Sequence, residues 1–207
     1  MTAGVLALQG DFASHHRALG RIGIATIPVR KPADLARADA LVLPGGESTA
    51  MLHGLARDGL EEPLRDYLHS GRPVLGTCAG AILLARRVTN PPQRSFDVLD
   101  IDVERNAYGT QVDSFTASLD APGTLAGVCG VFVRAPRIRR VGPGVEVLAR
   151  HAGDPVLVRD GAVWAATFHP ELTDDDRVLR LWLGDPWAVR PEATGPDGAR
   201  RSDRRSA

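Results

Sequence analysis

Only two of the 207 residues are cysteine, Cys78 and Cys129. No disulfide framework can hold such a chain together, and a reducing compartment, the cytoplasm, is the expected location. Neither sign of charge dominates: 25 basic residues meet 25 acidic ones at a sequence pI near 7.0, so nothing in the balance points to nucleic acid or another polyanion as partner. No uncharged run approaches the ~20 residues that a membrane span needs. Met1-Thr2-Ala3-Gly4 carries no basic cluster and Asp11 breaks the first apolar stretch, so no signal peptide is expected. Phosphate-binding loops are missing as well, since neither G-x-x-x-x-G-K-[ST] nor G-x-G-x-x-G occurs. No Cys/His cluster has the spacing of metal ligands, and no segment repeats at a fixed period. What the chain does have is apolar content, 43% of residues, at a length where one compact domain buries about 70% of its unfolded surface.

That apolar content is patterned. In the first half, strand and helix signals alternate. The continuous run Gly4–Leu8 predicts a strand buried on both faces, and Phe12, His15, His16 and Leu19 follow at helical spacings. Ala25–Val29 predicts a second strand, Asp34–Arg37 a brief helix, and Asp39–Leu43 a third strand. The third strand ends in Pro44-Gly45-Gly46-Glu47-Ser48-Thr49, where Ser48 or Thr49 is suited to cap the next helix. Helical patterning covers Ala50–Ala56 and Leu60–Leu68, split near Gly59; Pro73-Val74-Leu75 predicts a fourth strand, and Ala79 through Arg87 another helix. Such alternation argues for βαβ units in a parallel sheet covered on both sides.

Strand signals then dominate: Val98–Arg105, Val112–Ala117, Gly130–Arg134, Glu146–Arg150, Val156–Arg159 and Ala162–Phe168. Turn residues at Asn106, Pro122-Gly123, Pro143-Gly144 and Asp160-Gly161 punctuate them, the last suggesting a hairpin. A final helix is expected near Asp175–Leu183. The expected fold class is therefore α/β, a three-layer sandwich with a mostly parallel central sheet and additional antiparallel strands in the second half. Residues 1–184 form one domain in this reading. Residues 185–207 read as an Arg-rich disordered tail, with five Arg against three acids from 190 onward.

The chemistry centres on Gly76-Thr77-Cys78-Ala79-Gly80, a G-x-C-x-G elbow between a strand and a helix. Glycines flank a nucleophile on such a strained turn because side chains there would clash. A thiol at a helix N-terminus faces unpaired N–H groups and the positive end of the helix dipole, which can bring its pKa from about 8.5 into the range of roughly 3.5–7.5. A small buried cysteine in a turn accounts for the same residues; the two glycines favour the nucleophile.

A nucleophile needs a base and something to orient that base. Of the six histidines, His15 and His16 fall on the first helix, His53 and His69 on polar helix faces, and His151 in a turn. His169 ends the last strand, is followed by Pro170, and has Glu171 two positions on, where an extended backbone points both side chains the same way. His-Pro-Glu is equally a rigid exit from a strand, with Glu171 near a helix start. Oxyanion donors have natural candidates in the N–H of Ala79 and in Gly45-Gly46, where missing side chains let backbone approach a substrate.

Gly-Thr-Cys-Ala-Gly with a distant His-Pro-Glu resembles the class I, triad-type glutamine amidotransferases, a flavodoxin-like α/β fold. Six stretches narrow the match: Gly4-Val5-Leu6-Ala7-Leu8-Gln9-Gly10, Leu43-Pro44-Gly45-Gly46-Glu47-Ser48-Thr49, Val103-Glu104-Arg105-Asn106, Gln111-Val112-Asp113-Ser114-Phe115, Phe132-Val133-Arg134-Ala135-Pro136 and Phe168-His169-Pro170-Glu171-Leu172-Thr173. Together they look like the glutaminase subunits of pyridoxal phosphate synthase, over roughly residues 4 to 183.

The resemblance implies that Cys78, His169 and Glu171 form a triad that hydrolyses L-glutamine through a γ-glutamyl thioester. Gly46, Glu47, Ser48, Arg105, Val133 and Arg134 would contact the glutamine, and Gly45, Gly46 and Ala79 would form the oxyanion hole. It further implies a (β/α)₈ synthase subunit as partner in a large hetero-oligomer, one glutaminase per synthase subunit. That partner would receive the ammonia by a shielded route and switch on the glutaminase, with no cofactor or metal. Ser95-Phe96-Asp97-Val98, Tyr108, Thr110 and Val133 depart from the family pattern without removing a catalytic group. The alternatives are a glutaminase serving another synthase, a γ-glutamyl peptide hydrolase active alone, and a non-catalytic relative on the same fold.

Overall fold

The computed structural model describes residues 1–105, 107 and 114–184. The expectations for Asn106, Tyr108, Thr110, Gln111-Val112-Asp113 and the tail 185–207 lie outside these residues. In chain order the elements are β1 (Thr2–Leu6), α1 (Phe12–Arg21), β2 (Ala25–Val29), α2 (Pro32–Leu35), β3 (Ala40–Leu43), α3 (Ser48–Arg57), α4 (Glu61–Leu68), β4 (Val74–Thr77), α5 (Ala79–Leu84) and β5 (Ala85–Thr89). They continue with β6 (Leu99–Glu104), β7 (Ser114–Ser118), β8 (Cys129–Val133), β9 (Arg137–Val141), β10 (Glu146–His151), β11 (Asp154–Asp160), β12 (Val163–Ala166) and α6 (Arg177–Trp182). No helix among the described residues is long and apolar enough to cross a membrane.

The main sheet runs β10-β11-β12-β4-β3-β1-β2. Its central part, from β2 through β1, β3 and β4 to β12, is parallel, and β11 and β10 add an antiparallel edge. The hairpin expected at Asp160-Gly161 joins β11 to β12, with Asp160 opposite Val163. Ala3–Leu6 of β1 and all of β3 and β4 are buried without interruption because both faces are covered. Along β3, Leu41 and Leu43 enter one core while Ala40 and Val42 enter the other. The first core holds α3, α4 and α5 through Met51, Leu55, Leu64 and Leu84; the second holds α1 and α6 through Leu19, Leu179 and Trp182. The three-layer α/β architecture is as expected.

Two local expectations fail. The helix expected to reach Arg87 stops at Leu84. Ala85 turns extended and pairs with Leu99, burying Ala85 and Val88 and leaving Arg86 and Arg87 outside. Burial against β6 outweighs the helix propensity of an Ala–Arg–Arg stretch. The strand β9 lies in a stretch, Arg137–Val141, to which the sequence signals assign no element. Its arginines pair across the three-stranded sheet β5-β6-β9, Arg139 with Glu104 and Arg140 with Asp100 and Asp102 of β6. These cross-strand ion pairs lie on the outer face of the sheet, while Leu99, Ile101 and Val103 of β6 and Ile138 of β9 are buried on the other.

Because β1, β3, β4 and β12 are parallel, their C-terminal ends lie along one edge. Segments that leave the sheet there are Leu8-Gln9-Gly10, Pro44-Gly45-Gly46-Glu47, the Cys78 elbow and Thr167-Phe168-His169. This is where open α/β sheets place ligands.

Candidate active site

The elbow places Cys78 between β4 and α5 with φ 49°, an energetically costly backbone for a non-glycine residue. Neighbours hold it there. The Cys78 N–H donates to the carbonyl of Ala166 on β12 at 2.8 Å, continuing the register that sets Thr77 opposite Ala166. Glycine is required at Gly80 for space rather than flexibility: a Cβ there would lie 2.0 Å from the carbonyl oxygen of Leu43. The first turn of α5 is thus seated directly on the end of β3.

Cys78 is 7% exposed, and its Sγ is 3.9 Å from the carbonyl oxygen of Val133. The thiol also lies close enough to the His169 imidazole to raise its pKa. The structure therefore brings together the two residues that the sequence separates by most of the second half. His169 is fixed from behind: its N–H donates to the carbonyl of Val131 on β8 at 2.8 Å, and its Nδ1 lies 2.6 Å from Oε1 of Glu171. Since a carboxylate only accepts, Nδ1 carries the proton of this bond. Glu171 lies in the single 3₁₀ turn Pro170–Leu172 and is 4% exposed.

Burial alone would push His169 down, but the hydrogen bonds and charges of Cys78 and Glu171 outweigh it and carry its pKa up to about 10. Burial would raise Glu171, yet His15 and then His169 pull it down to about 2. The site thus favours a carboxylate behind a cationic imidazole. The sign differs for the two groups. Glu171 stabilises the fold above its ordinary 4.5, a contribution lost as pH falls toward 2. His169 stabilises it below its ordinary 6.5, a contribution lost as pH rises toward 10.

All six residues singled out for glutamine contact meet in one place. Gly46, Glu47, Ser48, Arg105, Val133 and Arg134 line a cleft of about 110 Å³, closed by Ile82. Arg105 Nη2 lies 3.1 Å from Glu47 Oε1. Glu47, not Ser48 or Thr49, caps α3: its carboxylate accepts from the N–H groups of Thr49 at 3.0 Å and Ala50 at 2.8 Å. These N–H bonds and Arg105 outweigh the effect of partial burial and lower the Glu47 pKa. Ser48 is free for other work and donates to Gln93 Oε1 at 2.9 Å.

The Gly45-Gly46 segment packs against His169. A Cβ at Gly45 would lie 2.2 Å from His169 Cε1, and Gly46 stands at φ 146°, where side chains are strained. Gln9 holds this loop by accepting the Glu47 N–H at 2.8 Å. Ala79 opens α5 directly after the nucleophile. Sequence reasoning missed three supporting residues: Gln9, Gln93 and His15. His15 was set aside as one of two histidines on the first helix, yet it is fully buried with Nε2 3.3 Å from Glu171 Oε1. Its place on the apolar stripe with Leu19, rather than its neighbour's place off it, was the available signal.

Known proteins carry the same architecture. A family model described as the SNO glutamine amidotransferase family matches residues 5–185. A pyridoxal 5'-phosphate synthase subunit PdxT from Koribacter versatilis is 53% identical, the alignment covering 88% of this chain and 94% of that one. Its namesake from Deinococcus radiodurans is 51% identical, over 89% and 96%. Among solved structures, a crystal structure of a glutamine amidotransferase superposes with a TM-score of 0.82 at 49% identity, covering 88% of this chain and 97% of that one. PurLQS from Thermotoga maritima shares the fold at a TM-score of 0.62 and 16% identity, over 88% and 97%.

Proposed function

The chain belongs to the SNO glutamine amidotransferase family, and on that premise we propose that it is the glutamine-hydrolysing subunit of a pyridoxal 5'-phosphate synthase. The relatives named as subunits of that synthase span nearly its whole length. One observation carries the mechanistic reading: the six predicted contact residues line a single cleft, and Val133, one of them, presents its carbonyl to the Cys78 sulfur.

In the mechanism, Cys78 Sγ attacks the side-chain amide carbon of L-glutamine, forming a tetrahedral oxyanion. In this reading Gly45-Gly46 and the N–H of Ala79 stabilise that oxyanion. His169 gives its proton to the departing nitrogen, the C–N bond breaks, and ammonia leaves a γ-glutamyl thioester on Cys78. His169 then takes a proton from water as the water attacks the thioester. The C–S bond breaks, L-glutamate leaves, and Cys78 returns as a thiolate beside the protonated His169, the pair from which the attack began. Glu171 holds the His169 tautomer throughout. Arg105 and Arg134 offer cationic donors for the α-carboxylate of the substrate.

The ammonia serves a (β/α)₈ synthase subunit, with one glutaminase per synthase subunit in a large hetero-oligomer. A shielded transfer has a physical reason, because ammonia released into neutral water is mostly protonated and no longer nucleophilic. Two free thiols and balanced charge support a cytoplasmic setting. Residues 1–184 act as the catalytic unit and 185–207 take no part in turnover.

Ammonia and glutamate release measured with and without purified synthase tests this. Glutaminase activity is expected to rise at least tenfold, on the order of the 1.4 kcal/mol that such a factor represents, when the synthase docks. Equal activity without the partner would instead favour a stand-alone hydrolase. The pH dependence adds a second check. With His169 protonated up to about pH 10, the alkaline limb of kcat/KM is expected near that value, where the acid for the leaving nitrogen disappears. Glu171→Gln is expected to move that limb downward by removing one of the two groups that raise His169. A wild-type alkaline limb near neutrality would contradict the assignment.

A further inference from the structure

We propose that His15 is a positioning residue of this glutaminase site, a second imidazole that fixes the orientation of Glu171 and ties it to the strand carrying the nucleophile. The inference rests on the triad reading above.

His15 is 0% exposed. Its Nε2 lies 3.3 Å from Glu171 Oε1 and 3.1 Å from Thr77 Oγ1. The same Oε1 is 2.6 Å from His169 Nδ1, while Oε2 has no hydrogen-bond partner among the described residues. One carboxylate oxygen therefore stands between two imidazole nitrogens and carries the polar contacts of the side chain. A proton on Nε2 faces both acceptors, the Thr77 hydroxyl at 3.1 Å and the Glu171 carboxylate at 3.3 Å. His15 Nδ1 has no hydrogen-bond partner among the described residues, so the polar contacts of the ring are those of Nε2.

A carboxylate held by a single hydrogen bond can still swing about its terminal torsion, which is broad for Glu. A second donor from another element removes that freedom. α1 packs on the turn Pro170–Leu172, so the helix delivers this donor from outside the triad's own segment. Thr77 immediately precedes Cys78, so the one imidazole spans the end of β4 and the turn that follows β12. Buried outer-shell partners of this kind orient the groups that do chemistry.

The groups facing Glu171 are His15 from α1 and His169 from its own segment, and His169 in turn faces Cys78. His16, adjacent on α1, turns away to Thr26 of β2 at 2.7 Å. Burial, His15 and Arg30 keep its pKa below the ordinary value, so it adds little positive charge near neutrality. If His15 merely filled space, an aromatic ring of similar size would replace it without affecting proton transfer.

The test uses the full chain assembled with its synthase. His15→Phe keeps a ring and removes the donor; His15→Gln keeps an N–H donor at similar reach. Steady-state glutaminase kinetics across pH, alongside thermal unfolding, supply the readout. For His15→Phe we expect kcat to fall about 10–100-fold, the range seen for outer-shell partners, with KM changed less than twofold. The alkaline limb of kcat/KM should also move to lower pH, because a loosened Glu171 holds the His169 proton less firmly. His15→Gln should recover most of both. If the Phe variant does not fold, His15→Asn, too short to reach Glu171, is expected to show the same loss and the same displacement.

Variants with wild-type kcat and pH profile would overturn the proposal. So would a loss of kcat with an unmoved alkaline limb and no recovery by Gln. An active wild type with indifferent His15 variants strikes this inference alone, whereas a wild type without glutaminase activity strikes the triad reading and takes this inference with it.

Discussion

Cys78→Ala is expected to lower glutamine-dependent ammonia release by about 10³-fold or more, to the background of the assay, because removing the nucleophile leaves only binding and oxyanion contacts. The fold should survive. The sulfur is one small atom at the rim of a core whose nearby side chains, Leu83, Leu84 and Ala79, are already fully buried. The backbone of residue 78 is held by its own N–H to Ala166, which alanine retains. Binding to the synthase should therefore persist, and co-elution of the variant with its partner checks that. Ammonia release that continued at the wild-type rate would remove Cys78 from the mechanism.

Gly45→Ala is expected to cost at least 100-fold in kcat/KM. The added methyl would sit 2.2 Å from His169 Cε1 and 3.0 Å from Nδ1, far inside van der Waals contact. His169 cannot yield easily, since Glu171 holds its Nδ1 at 2.6 Å. Either the ring turns away from the sulfur or the loop Pro44–Gly46 backs away from the cleft. A misplacement of about 1 Å is enough for two orders of magnitude. Gly20→Ala supplies the control. Its Cβ would meet nothing within 4 Å on α1, so the same methyl should leave turnover intact. Full activity in Gly45→Ala would mean that the loop and the histidine do not share this contact during turnover.

Legibility varied with the kind of residue. The parallel core was readable because strands buried on both faces must be apolar throughout, as Ala40–Leu43 is. The elbow was readable because steric demands select glycine at fixed spacings, and Gly80 against Leu43 shows the demand at work. His169 and Glu171 were readable by proximity in sequence. His15 was not: its function depends on which residue faces it from 156 positions away, information that only the packed fold contains. β9 escaped for a related reason, since its arginines look solvated until Glu104, Asp100 and Asp102 are placed opposite them. The Glu47 cap escaped because Ser and Thr are the commoner caps and the competing use of Ser48, its bond to Gln93, spans 45 residues.

The seat of Cys78 on β12 has a consequence for biosynthesis on the ribosome. The backbone bond from residue 78 to Ala166, and the imidazole three residues further on, do not exist until the last strand of the parallel core has emerged and slotted in beside β4. A nascent polypeptide therefore carries its sulfur for most of translation without the partner that activates it. In the proposed mechanism, glutamine can be consumed only after β12 and His169 have joined the sheet end that carries Cys78.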